Sequence, residues 1–395
     1  MHTRTLIESL LTPAFLDEAA GIRRHLHKHP ELSFAEHQTS SHIRSLLDSW
    51  GIAYEYPFVK TGILVTLKGK EPGKRLALRS DMDALPITED TGLPYQSVNP
   101  GVMHACGHDV HMASLLGAIR ILNQLRDRFR GEILCVFQPG EERIPGGARL
   151  MLEEGMFEGR HPDMILAQHV LPQMEAGHVG FKAGRYMASS DEIYVTVKGK
   201  GGHGALPQDI DDPVLMAAHL LLALQHEVNR KSPPDVPTVL SFGKIDAPGA
   251  VNVIPDQVRM EGTFRTMDEA WRQRAHELIS RTCLGVSRSL GGDCELEIRR
   301  GYPVLINDED LTLRAAGIAR DLLGAEKVED MGVRMTAEDF AWFAQKIPGL
   351  MFRLGVKTPG AETTYALHTS RFQADESALW TGILMLAGLS LELLG

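Results

Sequence analysis

Apolar positions recur at helical spacing over residues 15–28, a run stopped by His29-Pro30, and again over residues 36–49, ahead of Gly51. Short β-rich runs follow at 63–67 and 75–80, joined by the turn-forming stretch 69–73, then a helical pattern over 109–125 and an apolar run at 132–137. Strands alternating with helices predict an α/β domain, with a mixed, mostly parallel central sheet flanked by helices. From about residue 191 the order changes to strand (192–197), helix (213–229), strand (238–244), strand (257–265), helix (268–290) and strand (294–298). This is the split βαβ order of a ferredoxin-like α+β unit. Beyond it, 310–323 and 337–346 pattern as helices, 350–354 as a strand and 374–394 as a closing helix. Lying between two α/β stretches, the unit has the look of an insertion, so residues 1–185 and 301–395 are expected to form one domain and 186–300 another. A chain of 395 residues is long enough to bury two cores.

Charge and composition narrow the partners. Asp and Glu outnumber Lys and Arg by 51 to 41, a formal net charge of -10, which offers a polyanion nothing to grip and argues against nucleic acid. Residues 1–15 carry Glu8 among apolar positions and lack the basic region, long apolar core and small-residue cleavage site of a secretory leader, so export is not expected. The most apolar stretch, 378–391, includes Thr381 and Ser390 and falls short of the roughly 20 residues that cross a bilayer. It is expected to be a buried helix, and no membrane partner is implied. Four cysteines, Cys106, Cys135, Cys283 and Cys294, are too sparse for a disulfide framework and fit a reducing cytoplasm. Cys135 belongs to an apolar run and Cys283 and Cys294 have no ligand-type neighbours, which leaves Cys106 as the one in chemical company.

That company is His104-Ala105-Cys106-Gly107-His108-Asp109. On extended backbone alternate residues share a face, so Cys106 and His108 can address one point, and a thiolate with an imidazole suits a transition metal. The plainer alternative is a turn capped by Asp109. Gln138-Pro139-Gly140-Glu141-Glu142 follows an apolar strand, where an α/β sheet presents its ligand site. Adjacent extended residues point opposite ways, so one carboxylate can bind a metal while the other serves as general base; a solvated acidic pair is the alternative. His169 follows the apolar run 164–167 and His368 precedes the closing helix. Either alone would pass as a structural histidine; five ligand-type residues at strand ends and loop-to-helix junctions carry more weight together.

Asp81 and Asp83 share a side of their strand at i, i+2 spacing, as ligands, as carboxylates orienting a metal-bound imidazole, or as caps of the Pro86 turn. The loop Gly199-Lys200-Gly201-Gly202-His203-Gly204 lacks the Walker spacing; it could hold His203 toward a developing oxyanion, or be a simple β-turn. His25, His27 and His29 alternate in a helical turn and do not face one point, and His111 is expected to pack or to support the ligands.

Taken together, these segments resemble the dinuclear metallopeptidase family of aminoacylases, hippurate hydrolases, indole-acetyl-amino-acid hydrolases and related carboxypeptidases. The match runs from Arg24-His25-Leu26-His27-Lys28-His29-Pro30-Glu31-Leu32 through Arg79-Ser80-Asp81-Met82-Asp83-Ala84-Leu85-Pro86, the His104 and Glu141 motifs, Gly201-Gly202-His203-Gly204-Ala205 and Ala337-Glu338-Asp339-Phe340 to Leu367-His368-Thr369. The resemblance implies two divalent metal ions, zinc or manganese, held by Cys106, His108, Glu142, His169 and His368, with the thiolate shared between them. It makes Glu141 the general base and Asp83 its supporting aspartate. Asp81 stands where many relatives in the wider clan carry a ligating histidine, and its role is left open. The inserted domain resembles the family's lid and dimerisation module, so a homodimer is implied, with His203 reaching the partner's site and Asn252 and Arg265 binding the substrate's carboxylate. Gln208 stands where a histidine often follows the proline, a departure that bears on specificity.

The implied activity is hydrolysis of the amide bond of N-acyl-L-amino acids, with carboxypeptidase or dipeptidase action on small peptides as the alternative. A non-catalytic metal-stabilised binding protein would keep the ligands but would have no reason to place Glu141 beside Glu142.

Overall fold

The computed structural model describes residues 3–395; Met1 and His2, which open the amino-terminal segment discussed above, lie outside the described residues. The chain divides into two compact units, one of Met1–Arg185, Ile306–Gly332 and Asp339–Gly395, the other of Tyr186–Leu305 with Val333–Glu338.

The first unit is built on an eight-stranded sheet in the order Tyr54–Phe58, Gly62–Lys68, Glu132–Gln138, Arg75–Asp81, Met164–Glu175, Gly349–Lys357, Val179–Phe181, Val328–Asp330. Its four middle strands, from Glu132–Gln138 to Gly349–Lys357, are mutually parallel, and antiparallel neighbours flank them. Continuous apolar runs such as Ile133 to Phe137 are buried on both faces, as a parallel sheet covered by helices requires. Helices His108–Gln124 and Ala378–Leu394 are apolar nearly all round and accordingly buried. They approach closely at Gly117, where an added Cβ would lie 2.6 Å from Ile383 Cδ1. Each buried Leu or Ile here contributes roughly 1.5–3 kcal/mol. Among the described residues no helix is long and apolar enough to cross a membrane.

In the second unit the strands Asp191–Lys198, Thr238–Asp246, Gln257–Thr266 and Asp293–Arg300 and the helices Pro213–Lys231 and Glu269–Ser289 follow the anticipated order. The four-stranded sheet, Thr238–Asp246 beside Gln257–Thr266 beside Asp191–Lys198 beside Asp293–Arg300, is antiparallel throughout, which is ferredoxin-like topology. Both helices are N-capped by aspartate: Asp212 accepts from the amides of Val214 and Leu215, and Asp268 from that of Trp271.

Several local expectations need correcting. The helix expected over 337–346 is only Ala341–Ala344, because Asp339 is drawn out of it. The Asp339 carboxylate accepts bonds from Arg79 Nη2 at 2.8 Å, Gln138 Nε2 at 2.7 Å and the Ala148 amide at 3.0 Å. The closing helix starts at Ala378, four residues later than its apolar pattern, since Asp375 turns the chain by accepting from Ser377 N. His169 lies inside the strand Met164–Glu175, not past its end. Arg79 pairs with Ala167 and Asp81 with Gln138, so His169, two residues on from Ala167, is level with the ends of its neighbours.

Candidate active site

Cys106 and His108 do meet, but through a turn, not an extended face. His108 is the first residue of its helix, and Gly107 before it takes a left-handed φ of 79°. An added Cβ at Gly107 would lie 2.5 Å from Val170 Cγ2, so only glycine lets this turn settle against the strand that carries His169.

Backbone carbonyls aim the two buried imidazoles. His108 donates from Nδ1 to the carbonyl oxygen of Asp83 at 2.7 Å, and His169 from Nδ1 to that of Val170 at 2.9 Å. Each ring therefore turns Nε2 inward. His169 Nε2 is 3.5 Å from Cys106 Sγ, while His108 Nε2 is buried without a hydrogen-bond partner. His111 lies just as close but is committed elsewhere. The Val170 amide donates to its Nε2 at 2.9 Å, which fixes the proton on Nδ1, and Nδ1 donates to Asp81 Oδ1 at 2.6 Å. Asp81 Oδ2 accepts from Arg79 Nη1 at 2.7 Å, so this aspartate locks His111 and Arg79 in place.

The acidic pair is displayed by a small nest of backbone amides. Glu141 N donates to Asp83 Oδ1 at 3.0 Å and Glu142 N to Asp83 Oδ2 at 2.9 Å, and Ser33 Oγ adds a bond to Oδ2 at 2.6 Å. Glu141 and Glu142 thus leave a bound turn, not the extended segment expected. Glu142 Oε1 is buried with no hydrogen-bond partner and lies 3.3 Å from His368 Nε2. His368 holds a left-handed φ of 60°, uncommon outside glycine, and its amide is tied to the Ala105 carbonyl at 2.9 Å.

Ligand atoms of Cys106, His108 and His169 lie within 4.8 Å of one another, and so do those of Cys106, Glu142 and His368. The two sets share Cys106. Burial and the carboxylates of Glu142, Glu141 and Asp81 push the Cys106 thiol well above its usual range. Burial alone would lower His108, but Asp81, Asp83 and Glu142 outweigh it and push its pKa up to about 10. A proton on His108 then serves as the cluster's counter-charge, the place a bound cation would take, with the thiol ionising at the same time. The orphaned Nε2 and Oε1, the shared sulfur and the excess of carboxylates fit divalent metal.

A model of the peptidase family M20/M25/M40 matches residues 77–392. The chain belongs to that family. Among M20-family relatives it is 41% identical over 295 residues to an N-acyl-L-amino acid amidohydrolase of Geobacillus stearothermophilus, covering 75% of this chain and 79% of that one. It is 35% identical to thermostable carboxypeptidase 2 of Saccharolobus solfataricus, covering 94% of each. The Bacillus subtilis YXEP protein, described as a dinuclear metal binding peptidase from the M20 family, superposes with a TM-score of 0.83 at 35% identity, covering 97% of this chain and 99% of that one. The motif resemblance is borne out, and the chain is an M20-family hydrolase.

The remaining expected residues of this M20 chain belong to the second unit. His203 pairs with Val253 in a two-stranded ribbon, and Gly204 N bonds to the Asn252 carbonyl at 2.9 Å, which sets His203 and Asn252 on adjacent segments. His203 Nδ1 accepts from Ala205 N at 3.1 Å, leaving Nε2 as the donor of the neutral ring. Arg265 stands apart on the strand Gln257–Thr266, with a buried Nη1 that has no hydrogen-bond partner. Burial lowers its pKa. Of the early histidines, His27 is buried between Asp109 and Glu89, and His25 stacks on His42 with ring centroids 3.9 Å apart, so no triad forms. The roles of Arg79, Ser33 and Glu36 are not readable from the sequence, since nothing in local pattern marks a residue whose partners are dozens of positions away.

Proposed function

We propose that this chain hydrolyses the amide bond of N-acyl-L-amino acids with two divalent ions, zinc or manganese, held by Cys106, His108, Glu142, His169 and His368. The observation that carries the reading is the pair of ligand sets meeting at Cys106, with His108 Nε2 and Glu142 Oε1 buried without a hydrogen-bond partner beside Glu141. The thiolate favours zinc.

Ions so held would polarise the scissile carbonyl and make water at the site acidic near neutral pH. Glu141 takes the proton of the attacking water and returns it to the departing amine, a role for which the Asp83 nest holds its backbone. Asp83 does double duty, since its carbonyl also sets the ring of His108. His203, a neutral donor through Nε2, is assigned to the charge developing on the carbonyl oxygen. Arg265, with an unpartnered buried N–H, is assigned with Asn252 to the substrate's carboxylate, which a guanidinium binds through two parallel bonds. The ferredoxin-like unit is assigned the role of lid and of homodimer contact, which sedimentation of the intact protein tests.

Replacing Glu141 by Gln is expected to leave the metal content intact and to lower kcat by about 10²- to 10⁴-fold. Wild-type turnover in that variant would remove Glu141 from the mechanism. Carboxypeptidase action on small peptides is the second reading, favoured by the carboxypeptidase relative that covers 94% of both chains. A panel of N-acyl amino acids and dipeptides, each also with its carboxylate blocked as an amide, separates the two by whether a free amino group on the acyl side is accepted.

A further inference from the structure

We propose that Glu36 is a positioning residue for Glu141, acting through the amide of Gly140. The inference rests on the reading of Glu141 as proton acceptor. Glu36 is fully buried at the N-cap of helix His37–Ser49, yet its side chain makes no capping bond there. It is spent instead on the turn just before the helix and on two distant segments. Oε1 accepts from the amides of Phe34 at 2.8 Å and Gly140 at 2.9 Å, and Oε2 accepts from Thr61 Oγ1 at 2.8 Å.

Each of those segments carries left-handed backbone: Phe34 at φ 65°, Val59 and Lys60 at 46° and 72° just before Thr61, and Gly140 at 63°. Three turns that an isolated chain avoids are thus tied to one carboxylate. They also pack together, since a Cβ on Gly140 would lie 2.3 Å from Phe34 Cε1.

The link to chemistry lies in the order of the amides. Gly140, Glu141 and Glu142 present three consecutive N–H groups; Glu36 takes the first and Asp83 the next two. The Asp83 bonds fix the turn after Gly140, and the Glu36 bond fixes it before, so the direction in which the Glu141 side chain departs depends on both. Without Glu36 the buried Gly140 amide would have no acceptor, and the peptide between Pro139 and Gly140, which leads into Glu141, could rotate. Burial and the nearby Asp83 carboxylate push Glu36 up to about 7. Protonation leaves the arrangement standing, because a proton on Oε2 can be donated to Thr61 Oγ1 while Oε1 still accepts both amides. Glutamine imitates that state.

The test compares Glu36→Gln, Glu36→Asp and Glu36→Ala in the full-length, metal-loaded enzyme, on an N-acetyl-L-amino acid that the wild type hydrolyses. Ion content and melting temperature are measured alongside. Glu36→Gln is expected to keep kcat within about threefold, and Glu36→Ala to lose about 10- to 100-fold in kcat with KM and ion content unchanged. If Glu36→Ala fails to fold, Glu36→Asp decides, because its shorter arm cannot reach all three donors; a loss of about fivefold or more in kcat at constant KM and ion content supports the role. Wild-type kcat in the folded Ala or Asp variant, an equal loss in Gln and Ala, or a loss that tracks ion content would overturn it. Glu141→Gln is assayed beside them: turnover there refutes the proton-acceptor reading, whereas an inactive Glu141→Gln leaves the Glu36 variants to judge positioning alone.

Discussion

In the second unit the buried carboxylate of Asp191 has every lone pair engaged, by Arg272 Nη2 at 2.5 Å and Nε at 2.9 Å, His276 Nε2 at 2.7 Å and the Gly301 amide at 3.2 Å. In the first unit each carboxylate oxygen of Asp81, Asp83 and Asp339 also accepts a hydrogen bond, yet beside them lie His108 Nε2 and Glu142 Oε1 with no hydrogen-bond partner. Both regions bury charge at considerable desolvation cost. A closed network holds backbone in place, whereas buried polar atoms left open side by side mark where a ligand belongs. Arg265 Nη1 is a charged open donor of the second unit, where Thr266 Oγ1 and Ser287 Oγ also lack a hydrogen-bond partner.

That contrast can be broken or sharpened by substitution. The largest effect is expected from Asp191→Ala, which strands Arg272 and His276 in the core. It should destabilise the second unit by about 3–5 kcal/mol in urea unfolding while metal content stays unchanged. Loss of metal in a folded Asp191 variant would show that the two regions are not separable as described. A smaller effect is expected from Asp81→Asn, which weakens the hold on Arg79 and His111 without removing a ligand. Metal affinity, read by competition with a chelator, should fall about 10- to 100-fold; unchanged affinity would demote Asp81 to simple packing.

The smallest concerns Glu36 in metal-free protein. Its folded pKa of about 7 lies above the ordinary 4.5, so its stabilising contribution is complete below pH 4.5 and is lost as pH rises through 7. Between pH 6 and 8 the wild type should lose about 1 kcal/mol relative to Glu36→Gln. A flat difference across that range would mean that Glu36 is ionised throughout.

Much of this was legible in local pattern, and what was not had a common cause. The ferredoxin-like order could be followed because each of its strands and helices is long enough to show a period. The strands Val179–Phe181 and Val328–Asp330 are too short to show one. The helix expected over 337–346 is shorter because Asp339 bonds to Arg79, 260 positions earlier, of which its apolar spacing says nothing. Cys106 and His108, expected to share an extended face, come together through a turn at Gly107, whose conformation local spacing does not reveal.

By itself the amino-acid order determined which chemical groups are available, their helical or extended context, and the division into an α/β and a ferredoxin-like pattern, because these depend on neighbours within a few residues. Only the tertiary structure decided that His108 and His169 show Nε2 to the cluster, that His111 does not, and that Asp81 locks His111 and Arg79. It also decided that Glu36 and Asp83 share the amides beneath Glu141 and Glu142. The reason is physical: a ring tautomer or a turn's direction is set by whichever donor or acceptor lies within 3 Å, and here those partners come from strands and loops far apart along the chain.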